Sequence, residues 1–492
     1  MVAWRHDALS RLEREPFDLL VIGGGITGSG IALDAAARGL SVALVEADDI
    51  ASGTSSRSSK LIHGGLRYLE QFRFRLVREA LAERHLLLRL APHLVRIEPF
   101  VVPVFGSPIQ LGYIGAGLTL YDLLGAARDG GRTRYLGPSG VRRLVPAVRR
   151  TGLAGGFVYH DGVEDDARLA LAVARTARQH GAVVATRARA LATSPGGTGR
   201  VDGVIVRDEL TGNDLFVRAA VVVDAAGPVD AFDATEPPAT VIPSRGAHVV
   251  LRRSRIPIEY GMTLRVPGRV VFLIPWGAYW LLGTTDVAHT GSTTRPSAST
   301  DEVAYLLDSA NAALDVDLDW GDVVATFAGV RPLSASGAGT STVLASREHS
   351  IETGRDGVIR VRGGKYTTYR RTAAEVVDRV LGADARRRPS VTADLPLAGA
   401  LASSDLAGLA QRLAGRFEVP AGVATALVRR HGTDAQGVLE LGAAAGLLRP
   451  LVAGHDYVEA EVPWAAREEL ALGVEDVLAR RTRLAIEQED QA

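Results

Sequence analysis

The chain has 492 residues, 47% of them apolar, so at roughly 100–200 residues per domain it is long enough for about two to four domains with buried cores. The 56 basic and 56 acidic residues cancel, which argues against a general nucleic-acid binder, because such proteins carry an excess of positive charge. The absence of cysteine excludes disulfides, thiolate zinc sites, cysteine-ligated clusters and cysteine nucleophiles.

Membrane and secretion signals are weak throughout the sequence. Residues 1–17 carry charges without an apolar core of signal-peptide length, and no run of about 18 uncharged apolar residues predicts a transmembrane helix. The nearest approach, residues 109–124, contains Asp122. An interfacial segment and a buried helix explain this stretch equally well. The eleven histidines show no HExxH or other ligand spacing, so no metal site is predicted.

The first strong pattern runs from residue 17 to residue 46. An apolar run over 18–22 predicts a buried parallel strand, a glycine-rich turn follows, residues 26–38 predict a helix, and 40–45 predict a second strand. This order is typical of a dinucleotide-binding unit, in which the phosphates lie against the N-terminus of the helix.

Three glycines and one acid of this unit have predicted roles. Gly23 permits the tight turn, Gly25 lets a pyrophosphate approach the backbone, and Gly28 lets helix and strand pack closely. Glu46, at the end of the second strand, is placed to accept hydrogen bonds from an adenosine ribose.

The remaining chain alternates between patterns. Residues 76–90 and 167–179 predict helices, the second capped by Asp165 and Asp166. Residues 248–251, 269–275 and 279–284 predict strands of an antiparallel sheet inserted into an α/β protein. The chain after residue 400 is predicted to be mostly helical.

The loop over residues 54–68 favours FAD over NAD. It is rich in hydroxyls and then in glycine, which offers many donors for a long pyrophosphate and a flavin ring. The chain has two lysines among 56 basic residues, and Lys60 lies in this loop while Lys365 follows two glycines. A lysine retained among arginines indicates a need for a compact point charge.

At this point the sequence resembles the FAD-dependent glycerol-3-phosphate dehydrogenase family. The resemblance rests on VIGGGITGSGIALDAAARGLSVALVE, TSSRSSKLIHGGLRYLE, EDDARL, VVVDAAGP, GTTD, GVRPL and GGKYTTYR, in family order from Asp18 to about Arg370. The string DVLARRTRL near the end is similar to the family's closing helix.

The resemblance implies an α/β fold: an FAD-binding Rossmann-like domain, an inserted antiparallel-sheet substrate domain and a C-terminal helical domain. The FAD-binding domain is expected to comprise residues 12–100, 150–240 and 330–385, the substrate domain residues 101–149 and 241–329, and the helical domain residues 395–492.

The implied reaction is oxidation of sn-glycerol 3-phosphate to dihydroxyacetone phosphate by hydride transfer to flavin N5, with a quinone (menaquinone or ubiquinone) as electron acceptor. The implied location is cytoplasmic, peripheral on the inner face of the cell membrane, and a homodimer is compatible with the family. Three alternatives stay open: an oxidase using oxygen, an amino- or hydroxy-acid oxidoreductase of the same fold, and a non-catalytic flavin-bound interaction protein.

The family motifs also imply site residues. His248, Lys365 and Arg331 are the catalytic candidates, with His248 as base or hydroxyl orienter. A phosphate dianion needs fixed cations, and arginine binds it in a bidentate manner. The substrate-binding candidates are Arg67, Tyr68, Thr285, Arg331, Arg347 and Lys365. Tyr366 stands where the family suggests an aliphatic residue.

The cofactor-binding candidates come from the same motifs, and the cofactor expected is FAD with no metal. They are Gly23, Gly25, Gly28, Glu46, Thr54, Ser55, Ser59, Lys60, Leu61, His63, Gly64, Gly65, Leu66, Asp224, Gly227, Gly364, Thr367 and Thr368.

Overall fold

A computed structural model of the chain describes residues 3–197, 199–228, 241–267, 269–334 and 349–487. Its strands are β1 (Phe17–Ile22), β2 (Val42–Val45), β3 (Leu61–Ile62), β4 (Val95–Phe105), β5 (Arg134–Leu136), β6 (Leu153–Glu164), β7 (Val183–Ala185), β8 (Ala188–Pro195), β9 (Val201–Asp208), β10 (Asp214–Asp224), β11 (Val241–Arg252), β12 (Gly261–Val266), β13 (Arg269–Trp276), β14 (Tyr279–Gly283), β15 (Val287–Ala288), β16 (Val323–Ser334), β17 (Ser350–Thr353) and β18 (Ile359–Arg362).

The α-helices lie between and after these strands. They are α1 (Ala3–Arg14), α2 (Ile26–Ala37), α3 (Arg67–Glu70), α4 (Phe74–Leu90), α5 (Pro108–Tyr121), α6 (Ala127–Gly130), α7 (Pro138–Leu144), α8 (Asp166–Gln179), α9 (Thr300–Asn311), α10 (Tyr369–Leu381), α11 (Ser403–Phe417), α12 (Ala421–His431), α13 (Ala435–Ala445), α14 (Glu461–Glu468) and α15 (Leu484–Glu487).

The first sheet has the order β17-β18-β10-β1-β2-β7, with β18, β10, β1, β2 and β7 parallel. Its central strand β1 is apolar over almost its whole length, as is typical of a buried parallel strand. Leu19 and Val21 of β1 share one core with residues of helices α2, α8 and α10. The strand, turn, helix and second strand predicted from residues 17–46 are confirmed, and the parallel ends of β1 and β2 point to one edge of the sheet.

The second sheet has the order β15-β11-β14-β13-β12-β4-β6-β3 and is antiparallel except at the β12–β4 pair. Long strands β11 and β16 pair over most of their lengths, so β16 leads the chain from this sheet back towards the first. Helix α9 buries one face of the sheet. The predicted mixed α/β fold with an inserted antiparallel sheet is therefore confirmed.

Helices α11 to α14 form a separate core after residue 400, as the sequence predicts. The chain then returns to the other two parts through a π-helical turn, Asp476–Arg481, and α15. The predicted domain boundaries themselves stay a prediction.

Helix α5 answers the question that residues 109–124 left open. Ile114 and Leu118 are buried on one side, whereas Ile109 is 84% exposed and Tyr113 is 56% exposed on the other. The helix is thus neither fully buried nor fully exposed. Among the described residues, no helix combines the length and apolar character that crossing a bilayer requires.

Candidate active site

A large cavity of about 1120 Å³ lies between the edge of the first sheet and the second sheet. Its lining includes Gly23, Gly25 and Glu46 as well as Arg331 and Lys365. The cavity therefore joins the predicted nucleotide-binding turn to the predicted substrate residues.

The turn between β1 and α2 has the geometry that its glycines suggest. Gly23 has a φ of +105°, and a Cβ atom there would lie 2.7 Å from the carbonyl oxygen of Ala225. A Cβ on Gly28 would lie 1.9 Å from the carbonyl oxygen of Gly23, so Gly28 serves the packing of helix on strand and does not line the cavity. Gly25 is the N-cap of α2 and leaves the start of the helix open to the cavity.

The carboxylate of Glu46 lies beside the glycine turn that precedes α2. Its carboxylate accepts hydrogen bonds from the backbone amides of Gly24 (2.6 Å) and Asp48 (2.8 Å). Burial raises the pKa of Glu46 to about 7, and the neighbouring Asp49 adds to the rise. A carboxylate held here needs further donors, which ribose hydroxyls would supply.

The hydroxyl-rich loop, residues 54–60, forms part of the cavity wall through Thr54, Ser55, Arg57, Ser58 and Ser59. Ser55 Oγ accepts a hydrogen bond from the amide of Ile26 (2.9 Å), and Thr54 Oγ1 donates to the carbonyl of Val330 (2.6 Å). The loop therefore contacts both α2 and β16.

Lys60 lies in this loop with its side chain on the side away from the cavity. Its Nζ donates to Asp166 Oδ1 (2.7 Å) and Oδ2 (2.6 Å) and to the carbonyl of Ser56 (2.6 Å). Burial lowers the pKa of Lys60 to about 8, although Asp166 opposes the shift. In this arrangement the lysine supports the loop from behind.

Arg331 contributes a cation to the cavity lining. Its guanidinium donates to Thr284 Oγ1 (2.9 Å) and to the carbonyl of Thr285 (3.3 Å). A Cβ on Gly246 would lie 2.5 Å from Arg331 Nη2, so a glycine on the paired strand β11 makes room for the cation. The Thr285 hydroxyl donates to Glu302 (2.7 Å), which fixes the segment that orients Arg331.

Lys365 places a second cation in the cavity. Its Nζ lies 3.6 Å from the ring centroid of Tyr68, and both residues line the cavity. Gly363 and Gly364, with φ of +70° and +96°, bring the chain to this point.

His248 lies one layer behind the cavity wall. Its Nε2 is 2.9 Å from Ser59 Oγ, its ring stacks on Phe327 at 4.7 Å, and its Nδ1 has no hydrogen-bond partner among the described residues. Burial, followed by the cations of Arg331 and Lys60, lowers the pKa of His248 well below 6.5. The imidazole is therefore neutral at neutral pH, and Ser59 separates it from the cavity. His63 lines the cavity directly.

Most of the predicted residues line this one cavity. They are Gly23, Gly25, Glu46, Thr54, Ser55, Ser59, Leu61, His63, Gly65, Leu66, Tyr68, Gly227, Thr285, Arg331, Gly364, Lys365 and Thr367.

Other predicted residues lie behind the wall or beyond the described part. The Gly64 amide donates to the Tyr121 hydroxyl (2.7 Å), the Thr368 hydroxyl donates to the Lys365 carbonyl (3.4 Å), and Asp224 accepts from the Ala226 amide (3.1 Å). Arg67 begins α3, but its side chain lies outside the described residues, and so does the whole of Arg347.

Sequence reasoning did not single out two further parts of the wall. Basic side chains line the nucleotide end, namely Arg57, Arg187, Arg189 and Arg295, and apolar ones form an arm under α5, namely Phe72, Tyr113, Ile114, Leu118 and Phe272. The apolar character of residues 109–124 was the sequence feature that could have indicated this apolar part of the wall. Among the described residues, no group of three or more His, Asp or Glu side chains is arranged to hold a metal ion.

Comparison with known proteins gives matches over nearly the whole chain. A family model for FAD dependent oxidoreductases matches residues 18–370, and one for the C-terminal domain of alpha-glycerophosphate oxidase matches residues 390–492. Glycerol-3-phosphate dehydrogenase 2 of Mycobacterium tuberculosis is 43% identical over 493 residues, covering 99% of this chain and 83% of that protein. The glycerol-3-phosphate dehydrogenase of Mycobacterium leprae is 43% identical over 490 residues, covering 98% and 83%.

Among solved structures, the glycerol-3-phosphate dehydrogenase from Bacillus halodurans, complexed with FAD, is similar with a TM-score of 0.81 and 28% identity. The match covers 99% of this chain and 90% of that one. The likeness thus includes the helical C-terminal part as well as both sheets.

Proposed function

Because the chain belongs to the FAD-dependent glycerol-3-phosphate dehydrogenase family, we propose that it oxidises sn-glycerol 3-phosphate to dihydroxyacetone phosphate. One observation carries the proposal. One cavity is lined both by the dinucleotide-binding turn and by the cations of Arg331 and Lys365, so cofactor and anionic substrate would meet inside it.

The residues present fit FAD, which is the family's cofactor. The cavity volume, about 1120 Å³, exceeds the range of roughly 300–1,000 Å³ usual for small-ligand sites, as a dinucleotide requires. Gly25 opens the start of α2 to the pyrophosphate, and Glu46 supplies the acceptor for the ribose. FAD bound there would supply a two-electron acceptor for the substrate hydride, with N5 as the accepting atom.

Arg331 holds the phosphate of the substrate. Its guanidinium is fixed by Thr284 and Thr285 while its side chain remains 23% exposed to the cavity. A fixed fork loses little entropy on binding an anion and can bind two phosphate oxygens at once. Lys365, held over the Tyr68 ring, adds a point charge for the substrate oxygens.

The hydroxyl proton of the substrate leaves through Ser59. Ser59 Oγ lines the cavity and lies 2.9 Å from His248 Nε2. Burial and neighbouring cations keep the His248 ring neutral at neutral pH, so its Nε2 can accept a hydrogen bond from Ser59. Because the same surroundings make the ring a weak base, it would take up the proton only in step with departure of the hydride from the substrate carbon. The serine hydroxyl can take the substrate proton while passing its own to the imidazole.

A quinone receives the electrons, and it enters from a membrane surface. The apolar arm of the cavity opens beside α5, where Ile109 and Tyr113 are exposed one helical turn apart. Phe72 and Phe74 are also exposed and line the same opening. Exposed aromatic and aliphatic side chains around the opening of a cavity can insert into the interfacial region of a bilayer. An apolar quinone dissolved in that bilayer could then enter the cavity directly. The protein is accordingly peripheral on the inner face of the cell membrane.

Anaerobic titration tests the substrate. Glycerol 3-phosphate is expected to bleach the visible absorbance of the FAD-loaded protein, whereas glycerol and D-amino acids are not. Bleaching by an amino or hydroxy acid instead would show a different substrate on the same fold. A flavin that no substrate bleaches would contradict an enzymatic role and favour a flavin-bound interaction protein.

The same sample tests the acceptor. After bleaching, a menaquinone or ubiquinone analogue is expected to restore the colour within the time of one turnover, and air is expected to act slowly. Fast recolouring by air with slow recolouring by the quinones would identify an oxidase.

A further inference from the structure

The last described part of the chain, residues 476–487, carries three arginines into the interior. The side chains of Arg480, Arg481 and Arg483 are 2–3% exposed. Guanidinium groups are rarely buried without partners, because a buried charge loses its hydration and must be compensated by hydrogen bonds and opposite charges. The identity of their partners therefore shows what this closing segment, residues 476–487, is built to hold.

Two of the arginines hold the loop that follows β2. Arg480 Nε lies 2.5 Å from Asp49 Oδ2, and Arg481 binds both oxygens of Asp49 at 2.7 and 2.8 Å. Asp49 is completely buried, and it lies three residues beyond Glu46 in the chain. The next residues return to the glycine turn, since the Ala51 amide donates to the carbonyl of Gly24 (3.0 Å).

The third arginine holds the hydroxyl-rich loop from behind. Arg483 Nη2 lies 2.6 Å from Asp165 Oδ1 and also donates to Asp166. Asp166 in turn accepts from the amide (3.0 Å) and hydroxyl (2.7 Å) of Ser58 and from Lys60. Ser58 lines the cavity, so the ion pair acts directly on a residue of the cavity wall.

The end of the closing segment reaches the second sheet as well. The carboxylate of Glu487 accepts hydrogen bonds from Trp276 Nε1 (2.9 Å) and the Tyr457 hydroxyl (2.8 Å), and its carbonyl accepts from the Tyr279 hydroxyl (2.6 Å). Trp276 and Tyr279 belong to β13 and β14. One short segment thus contacts both cavity loops, the second sheet and the helical part.

We propose that Arg480, Arg481 and Arg483 are positioning residues for FAD, which hold the 46–51 and 54–60 loops in the shape that binds it. None of the three lines the cavity, so each acts through Asp49 or Asp166. Arg480 and Arg481 bind the 46–51 loop through Asp49, and Arg483 reaches the 54–60 loop through Asp166 of α8 and the carbonyl of Ser56 (3.5 Å). Arg481 also donates to the carbonyl of Glu469 (2.6 Å), so the same side chain joins the helical part to the loop beside the cofactor site. The proposal goes beyond the proposed function, since it depends on FAD and not on the substrate or the acceptor.

The experiment measures FAD binding by the full-length chain, through the fluorescence of free flavin released on dilution. Arg481→Ala and Arg483→Ala are each expected to raise the Kd for FAD about tenfold or more, and to change the visible circular dichroism of bound FAD. Arg483→Lys, which keeps the charge but not the fork, is expected to fall between wild type and Arg483→Ala. The matched control is Arg449→Ala, because Arg449 is an exposed arginine of the same helical part, paired with Glu459 at 3.3 Å.

Thermal unfolding of the apo and FAD-loaded forms separates positioning from mere stability. If the arginines position the loops for FAD, each variant should show a smaller rise in unfolding temperature on adding FAD than the wild type does. If their role is purely structural, the apo and FAD-loaded forms should lose the same amount of unfolding temperature and the Kd should not change. The second pattern overturns the proposal, as would an Arg449→Ala effect as large as that of Arg481→Ala. If Arg483→Ala does not fold, Arg483→Lys decides, since a wild-type Kd in that variant contradicts the proposal. Because no substrate is added, failure of the glycerol 3-phosphate titration does not affect this result.

Discussion

Arg331 differs from an ordinary surface arginine because its guanidinium is fixed before any anion arrives. Thr284 and the Thr285 carbonyl hold it, and Gly246 leaves the space beside it. Arg331→Ala is expected to raise KM for glycerol 3-phosphate and to lower kcat/KM. The loss of transition-state stabilisation should be about 2–4 kcal/mol, because a charge-assisted contact to the phosphate is lost. Arg331→Lys should recover only part of the loss, since lysine cannot bind two phosphate oxygens at once.

Steady-state assays with a soluble dye as acceptor measure this effect. Arg255→Ala is the control, because Arg255 pairs with Asp322 and does not line the cavity. An unchanged kcat/KM in Arg331→Ala would remove Arg331 from the substrate site.

Glu46 links cofactor binding to pH. Its pKa is raised by burial to about 7, so ionisation of the carboxylate destabilises the cofactor-free fold as the pH rises from about 4.5 through 7. Glu46→Gln is therefore expected to raise the apo unfolding midpoint at pH 8 and to leave it nearly unchanged at pH 5. The same variant should bind FAD more weakly, because the amide is a poorer acceptor for ribose hydroxyls. Full retention of FAD, or a midpoint gain that is larger at pH 5 than at pH 8, would contradict this role.

For single residues, the sequence indicated which positions lie near the cavity, but it did not show which side chains face into it. The family motifs led to Arg331 and Lys365, and the strand–turn–helix–strand pattern led to Glu46, and all three line the cavity. Their roles in binding stay predictions. His248 shares a face of β11 with cavity-lining Gly246, yet Ser59 of a distant loop covers it. Such covering depends on tertiary packing, which no local pattern contains.

At the level of elements, the β1–α2 unit is the most tightly constrained. A methyl group on Gly28 would meet the Gly23 carbonyl at 1.9 Å, and both are backbone positions that cannot turn away. Gly28→Ala is expected to separate α2 from β1, to weaken FAD binding more than tenfold and to lower stability by about 1–3 kcal/mol. Gly112→Ala is the matched control, because Gly112 lies in helix α5 with nothing within 4 Å of a new methyl group.

Urea unfolding and FAD titration of the two glycine variants provide the comparison. Gly112→Ala should be as stable as wild type or more stable by up to about 1 kcal/mol, because alanine favours the helix. Equal behaviour of the two variants would show that close packing of α2 on β1 is not required.

Helix α5 carries the proposed membrane surface. Ile109→Glu is expected to reduce co-sedimentation with vesicles of anionic phospholipid several-fold, because a charge replaces an apolar group that would enter the interface. Turnover with a soluble dye should not change, since Ile109 does not line the cavity. Val474→Glu is the control, because Val474 is also an exposed apolar residue (74%) but belongs to the segment after α14 and not to α5. Vesicle binding that is equal in both variants would contradict a membrane role for α5.

The elements also show where periodicity is informative. The strands and helix of residues 17–46 were predicted within a few residues, because a buried parallel strand and a glycine turn have strong local patterns. The role of 109–124 was not decidable, because apolar residues surround the whole helix and only the tertiary structure shows which of them are covered.

At the scale of the whole molecule, the cavity is assembled from parts far apart in the chain. Its walls combine the first sheet, the second sheet and loops that the closing segment supports. The sequence indicated three parts and their order through motifs, but it did not show which charged residues pair across them. Arg168 of α8, for example, lies in the EDDARL motif, yet nothing local indicates that its partner is Glu469, 301 residues further along the chain. The predicted homodimer stays a prediction.

Buried ion pairs connect α8 to the helical part, and they predict how the stability of the whole protein changes in acid. Glu469 accepts from Arg168 at 2.7 and 2.9 Å and lies 3.1 Å from His431, which also faces Glu461. Burial alone would raise the pKa of Glu469, but Arg168 and His431 outweigh it and hold the pKa well below 4.5. The pKa of Glu461 is lowered to about 2 in the same way, chiefly by Arg430.

Carboxylates with lowered pKa values stabilise the fold above their unfolded pKa and lose that contribution as the pH falls. Glu469→Gln is therefore expected to destabilise the protein at pH 7 by about 3–5 kcal/mol, because Arg168 stays buried without its partner. The difference from wild type should shrink as the pH falls below about 4.5, where the wild-type carboxylate also begins to lose its advantage. Urea unfolding between pH 7 and pH 3 measures this, with Glu440→Gln as the control because Glu440 pairs with Arg416 on the surface. A constant difference across that range would show that the charge of Glu469 does not hold the helical part to α8.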